Sequence, residues 1–269
     1  METRKILNLA DPEYRAVNAV SKSALDQFAK SPAHYKHVII DGNRTQATPA
    51  MELGSAFDTY LLTPEVFAAE YAIAPEVRRG TKAWDEFEAA NPGKRIIKAE
   101  ELARIEAMAR AVLDHPAAGA LLRDGDSQVS YFWTDERTGL PCKGRADYVR
   151  HDGIMIDVKT TQDASPEQFA RSIGSFRYHV QAAMYLSAQV ATGGPTTDQF
   201  CFIAVEKEPP YAVAVYTLDP ESLAEGFRVM GRDLERLKAC VEANHFPAYS
   251  ERVESIRLPK YAFSMGDNQ

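Results

Sequence analysis

Three cysteines in 269 residues, Cys142, Cys201 and Cys240, are too few and too scattered for a disulfide framework, and without a CxxC pair they suggest no zinc site. Buried, inert thiols are the default. Nowhere do about 18 uncharged apolar residues run together, and the opening Met1-Glu2-Thr3-Arg4-Lys5 lacks the apolar stretch of a signal peptide. No membrane span is expected, and a cytosolic location follows. The six histidines form no HxH or HExxH pair, no glycine-rich phosphate loop appears, and there is no GxSxG elbow. Zinc-protease chemistry, an ATP-driven motor and a Ser/His/Asp hydrolase gain no support.

Positive charge is also in short supply. Lys and Arg number 31 against 38 Asp and Glu, a net charge of −7, which argues against a protein that grips nucleic acid over its whole surface. Any such contact has to be local. Two basic neighbourhoods could supply it: Lys22, Lys30 and Lys36 with His34 and His37, then Arg78, Arg79, Lys82, Lys94, Arg95 and Lys98. The plainer reading is a pair of solvated helical faces.

What is present is enough apolar material for a core, at 45% hydrophobic residues, in a length that fits one elaborated domain. Ser21 reads as the N-cap of a helix carrying Leu25 and Phe28 and ending near Ser31-Pro32. Residues 50 to 62 place Met51, Leu53, Phe57 and Leu61 at helical intervals, which leaves Asp58 on an otherwise apolar helix. Residues 64 to 122 look mostly helical, with breaks at Pro75, Gly80, Asn91-Pro92-Gly93 and Pro116. The pattern then turns to period two. Strands are expected over Val129–Trp133, Cys142–Arg150 and Gly153–Thr160, and again over 199–205 and 211–217. Helices are expected from Ser165 or Pro166, over 177–191, and from Asp219-Pro220 to about Ala243. The whole reads as one α/β domain, helical over about 1–122, with its core at about 123–250 and a frayed tail from Ser264.

The chemistry concentrates in Lys143-Gly144-Arg145-Ala146-Asp147-Tyr148-Val149, a turn at His151-Asp152-Gly153, and Ile154-Met155-Ile156-Asp157-Val158-Lys159-Thr160-Thr161. Alternation puts Ile154, Ile156 and Val158 on a core-like face and Asp157 with Lys159 on the other. A three-residue loop with Gly153 left-handed pairs Arg150 with Ile154 and sets Asp147 opposite Asp157. A two-residue loop would send the two carboxylates to opposite faces. The three-residue loop is the expectation. Converging carboxylates repel unless a cation lies between them, and oxygen ligands without Cys or His suit Mg²⁺, with Mn²⁺ as a substitute. Asp147, Asp157 and Lys159 are the expected catalytic residues, the lysine orienting water and offsetting charge as a phosphodiester passes through its transition state. Asp147, Asp157, Val158 and Asp58 are the candidate metal-site residues, Asp58 being equally readable as a solvent-facing helix residue.

Tyr178, Gln181 and Tyr185, at i, i+3 and i+7, share a helix face that could line a nucleic-acid groove or sit at the core boundary. Gln181, Tyr185 and Arg145 are the expected DNA contacts.

In these residues the chain resembles the RecE-type phage and prophage recombination exonucleases, in the RecB-like branch of the PD-(D/E)XK nucleases. Ser21-Lys22-Ser23 through Ser31-Pro32-Ala33-His34-Tyr35 is similar to the family's opening helix, and Gly54-Ser55-Ala56-Phe57-Asp58 with Leu61-Leu62 and Pro64-Glu65 to its second motif. Lys143 to Asp147, Asp157-Val158-Lys159-Thr160-Thr161, and Gln181 with Tyr185 match the catalytic hairpin and the QxxxY helix in order. The likeness runs from about residue 19 to 250. It implies a central mixed sheet flanked by helices, with a helical N-terminal elaboration. It also implies a Mg²⁺-dependent processive exonuclease on linear double-stranded DNA, degrading the 5′ strand to leave a 3′ overhang in a bacterial or phage-infected cytosol. A single-strand annealing protein as partner and a homo-oligomeric ring around DNA belong to the same implication. Asp58 stands where that branch usually has a histidine, so the ligand there is either replaced or lost. Two other readings stay open: a weakly active or inactive DNA-binding relative, and a single-strand or repair nuclease of the same superfamily. A Cas4-like enzyme would need four cysteines.

Overall fold

The computed structural model describes residues 1–43, 46–78, 80–196, 198–250, 252–259 and 263. Arg79 of the second basic neighbourhood, and the tail from Ser264, lie outside the described residues. In chain order the elements are β1 (Arg4–Ile6), α1 (Asp11–Ala16), α2 (Lys22–Lys30) and α3 (Pro32–Tyr35), which runs on as a π-helical turn over Lys36–Ile40. Next come α4 (Pro49–Leu62), α5 (Pro64–Glu70), β2 (Tyr71–Ala74), α6 (Lys82–Ala90), β3 (Arg95–Lys98), α7 (Ala99–Asp114) and α8 (Pro116–Leu121). The rest is β4 (Gly125–Thr134), β5 (Pro141–Arg150), β6 (Met155–Thr161), α9 (Pro166–Ser175), α10 (Tyr178–Ala191), β7 (Phe200–Glu206), β8 (Val213–Thr217) and α11 (Pro220–Ala243).

Helix starts follow their capping chemistry. Ser21 Oγ accepts from the Ala24 amide at 3.2 Å, and Thr48 Oγ1 accepts from Met51 at 3.3 Å ahead of Pro49. Asp219 Oδ1 takes the amides of Glu221 and Ser222 at 3.0 Å each. Each cap satisfies donors that the first helical turn leaves without a partner. At the far end of α2, Ser31 is extended and Pro32 follows, so the helix cannot continue.

The main sheet is mixed and six-stranded, in the order β1-β4-β5-β6-β7-β8. Only β6 and β7 are parallel, and α9 and α10 make the crossover that a parallel pair needs. Apolar side chains fill both faces. Leu25, Phe28, Val180, Met184, Phe200, Phe202, Leu234 and Leu237 form one core, under α2, α10 and α11. Phe57, Ile105, Met108, Val112, Ile156, Val158, Ile203 and Val205 form the other, under α4 and α7. Among the described residues no helix is long and apolar enough to cross a membrane.

The stretch expected to be mostly helical contains a parallel pair of strands, with Tyr71 opposite Arg95 and Ala74 opposite Lys98. Four-residue strands joined through α6 carry too little alternation to be seen locally, and only their mutual pairing defines them. The same holds for β1, whose charged Arg4-Lys5 lies on the sheet edge against Phe132 and Tyr131.

The β5–β6 turn has three residues. The Arg150 amide bonds to the Ile154 carbonyl at 2.9 Å, and Gly153, at φ +94°, closes onto the Arg150 carbonyl at 2.9 Å. Tyr148 pairs with Ile156 and Val149 with Met155, so one further step places Asp147 across from Asp157. β5 also changes face at this point. Ala146 and Val149 pack in one core and Tyr148 in the other, whereas strict alternation would keep 146 and 148 together. The ladder with β4 skips Asp147 and Gln128, and Gln128 has φ +50°. A left-handed residue inside a strand re-aims its neighbours, and here the re-aimed position is Asp147.

Candidate active site

Asp157 lies in the middle of the sheet, with β5 on one side and β7 on the other, and is 0% exposed. A carboxylate there is costly unless it is paired and hydrogen-bonded. The Lys159 ammonium forms an ion pair with Oδ2, and Gln181 Nε2 donates to Oδ1. Two residues along β6, Lys159 is 19% exposed in its side chain, and its ammonium stands 5.1 Å from the centre of the Tyr178 ring. Burial disfavours the charge, but Asp157 and Asp147 outweigh burial and hold Lys159 above the ordinary lysine range. It is a permanent cation and hydrogen-bond donor, not a base.

Asp147 Oδ2 accepts the Val158 amide at 2.9 Å, so the carboxylate occupies a ladder position on β6 next to Asp157. Burial and then the Asp157 charge push its carboxyl up to about 7, with Lys159 and the Val158 amide pulling the other way. Asp58 arrives from α4. Burial first, then Asp147 and Asp157, raise it well above the carboxylate range, against a lowering by Lys159. Its Oδ1 is buried with no hydrogen-bond partner among the described residues. Gly54, one turn earlier, faces β6: a Cβ there would stand in ordinary contact, 3.4 Å, with Thr160 Oγ1.

The site therefore gathers three carboxylates around one ammonium, and burial, reinforced by their mutual repulsion, raises the proton affinity of Asp58 and Asp147. Among the described residues no trio of His, Cys, Asp or Glu side chains is already drawn in to ligand spacing. The donor set nevertheless fits a hard divalent cation, because it is all oxygen and Asp58 Oδ1 is buried without a hydrogen-bond partner among the described residues. Asp58, Asp147 and Asp157 would hold it. Val158 could contribute only its backbone carbonyl, since its side chain is in the core.

The polar stripe on α10 does not form an open groove. Gln181 is 7% exposed and is directed at Asp157, so it acts on the carboxylate. The Tyr185 ring lies on Gly144, where a Cβ would come within 3.0 Å of it. Burial, then Tyr14 and Asp157, hold its hydroxyl well above the ordinary tyrosine range. Arg145 is turned away as well. Its guanidinium binds Ser130 Oγ at 3.0 Å, the Leu9 carbonyl at 3.0 Å and Asp11 Oδ1 at 3.2 Å, over the Tyr14 ring. Neighbouring Lys143 donates to the carbonyls of Tyr14, Arg15 and Val17, near the C-terminal end of α1. These two cations clamp the N-terminal segment, because β5 presents both on the face that this segment covers.

One residue of the first basic neighbourhood borders the site. Lys22, at the start of α2, pairs with Asp26 at 2.7 Å, donates to the Phe176 carbonyl at 2.7 Å and lies 5.6 Å from the Tyr178 ring centre. The Tyr178 ring thus meets the ammonium groups of both Lys22 and Lys159.

A family model described as a PDDEXK-like domain of unknown function, DUF3799, matches residues 21–259. The chain belongs to this family. The match spans the hairpin bearing Asp147, Asp157 and Lys159, together with α4 and α10. PDDEXK nucleases generally use divalent metals. No curated protein matches the chain by sequence. Among solved structures, a crystal structure from Eubacterium rectale, designated a candidate exonuclease, is 14% identical with a TM-score of 0.61. It covers 97% of this chain and 100% of its own, which shows a shared fold over nearly the whole length of both. The crystal structure of SSO0001 is 19% identical over 52% of this chain and 60% of its own, and its TM-score of 0.30 carries no argument.

Proposed function

We propose that this PDDEXK-like domain is a Mg²⁺-dependent exodeoxyribonuclease that degrades the 5′ strand of linear double-stranded DNA and leaves 3′ overhangs for recombination by strand annealing. The observation that carries the nuclease reading is the buried meeting of Asp58, Asp147 and Asp157 with Lys159. Carboxyl groups held protonated by burial and mutual repulsion, beside a lysine, cluster at functional sites. Duplex preference, 5′ polarity, an annealing partner and a ring assembly rest on the likeness of motifs between residues 19 and 250. Asp58 comes from the helical part and Asp147 from the core, which supports both parts acting as one unit.

A divalent ion, when bound, supplies Lewis-acid polarisation of the phosphodiester and neutralises its charge. The chain supplies the rest. Lys159 donates hydrogen bonds to the attacking water and to the oxygens that gain charge at phosphorus. Asp157 fixes the direction of that ammonium, Gln181 fixes Asp157, and the Tyr178 ring lies near the ammonium. The Val158 amide holds Asp147 in place.

The test offers purified protein a linear duplex labelled at the 5′ or the 3′ end, with Mg²⁺ or EDTA, beside a covalently closed circle. Immediate release of the 5′ label with Mg²⁺ alone, and an intact circle, is the expected result. Release of the 3′ label first would refute the polarity, and no cleavage with Mg²⁺ or Mn²⁺ would refute the nuclease reading.

A further inference from the structure

Most cations around the carboxylate site already have an acidic partner. Lys159 pairs with Asp157, Lys22 with Asp26, Arg145 with Asp11, and Arg177 with Asp233 and Asp26. Arg95 does not follow this pattern. It opens β3 beside Tyr71, and its guanidinium stands 5.0 Å from the centre of the Tyr71 ring, which is 5% exposed. Its Nη1 donates to Ser55 Oγ at 3.1 Å. Both contacts are neutral, and among the described residues Arg95 has no carboxylate partner. A guanidinium carries five N–H donors in a planar fork, so most of this fork remains available. The side chain is exposed to solvent and yet held at two points.

The position is as telling as the charge. Ser55 precedes Asp58 by three residues on α4, close to one helical turn. Gly54 beside it rests on Thr160, the residue after Lys159. Arg95 is therefore anchored to the helix that delivers Asp58, through a residue about one turn before that carboxylate. A chain of net charge −7 that takes up a polyanion needs fixed local cations near the point of cleavage.

We propose that Arg95 is a phosphate anchor for duplex DNA, gripping a backbone phosphate that lies further along the strand from the one cleaved. The inference rests on the DNA-nuclease reading and deepens it by naming where the duplex is held. The ring contact and the Ser55 hydrogen bond pre-organise the fork, so that little side-chain freedom is lost when a phosphate arrives. Planar bidentate pairing suits arginine better than lysine there.

The test measures binding of a short labelled duplex with Ca²⁺ in place of Mg²⁺, over a series of KCl concentrations. Wild type, Arg95→Ala, Arg95→Lys and Arg95→Gln are compared. Loss of one phosphate contact lowers the slope of log affinity against log salt by about 0.9, and we expect that drop for Arg95→Ala with roughly tenfold weaker binding at moderate salt. Arg95→Lys is expected to restore the slope and only part of the affinity. Arg95→Gln keeps a donor for Ser55 and removes the charge, so it decides the matter if the alanine variant melts earlier than wild type. Wild-type slope and affinity in the folded alanine or glutamine variant would overturn the anchor while leaving the nuclease reading intact. Wild-type protein that binds no duplex would overturn both.

Discussion

Asp147→Asn should make the protein more stable and inactive at the same time. The Asp147 carboxyl is pushed from an ordinary 3.8 up to about 7. Between those values the folded chain keeps a proton that the unfolded chain has released. Below about pH 4 both states are protonated and the fold has its full stability. Stability falls as pH rises through the interval, and above about 7 the loss is complete. At about 1.36 kcal/mol per pH unit the ceiling on this loss is about 4 kcal/mol. Relaxation of Lys159 and entry of water reduce it, and a gain of about 1–3 kcal/mol is expected for the variant at pH 8 without divalent ions. Asparagine keeps an oxygen for the Val158 amide, so the ladder contact at 2.9 Å survives and only the charge is removed. Urea denaturation followed by fluorescence of Trp84 and Trp133 gives the difference directly. At pH 4 the two proteins should converge, and added Mg²⁺ should stabilise wild type more than the variant. A variant less stable than wild type at pH 8, or a gain that does not shrink on acidification, would refute the account of the buried carboxylates.

Lys159→Ala should abolish cleavage in single-turnover assays while leaving duplex binding in Ca²⁺ largely intact, because the ammonium acts on charge that develops late. Unchanged turnover would remove it from the mechanism. Asp58→Ala should raise the Mg²⁺ concentration for half-maximal activity, and Asp58→His should stay active with a preference shifted toward Mn²⁺; superimposable metal titrations would make Asp58 an ordinary helix residue. Deleting Asp152 should be as damaging as Asp147→Asn to activity, since a shorter loop slips the strands by one position. Wild-type activity in that deletion would show that the Arg150–Ile154 closure does not set the register.

How much of this was legible beforehand depends on how local each feature is. The hairpin, its three-residue turn and the opposition of Asp147 and Asp157 follow from alternation plus one left-handed glycine, all within residues 142 to 160. The helix starts at Ser21 and Asp219 were readable for the same reason: a side-chain oxygen meets an amide two or three residues on. Periodicity could place Asp58 on an apolar helix but could not say what that helix faces. Only the packing of α4 on β6, through Gly54 and Thr160, turns Asp58 toward the other carboxylates.

Gln181 shows the same limit from the other side. Its spacing with Tyr185 is a property of the helix, whereas its direction toward Asp157 depends on how α10 lies across the sheet. The parallel pair β2 and β3, with Arg95 on it, exists only through contacts between segments more than 20 residues apart. Face changes belong to this class too, since the switch in β5 at Asp147 is tied to a left-handed Gln128 on the neighbouring strand. The sequence by itself determined which residues carry the charge and which local elements bear them. Tertiary structure alone decided which of those charges meet, because burial and electrostatic coupling act between segments that chain distance keeps apart.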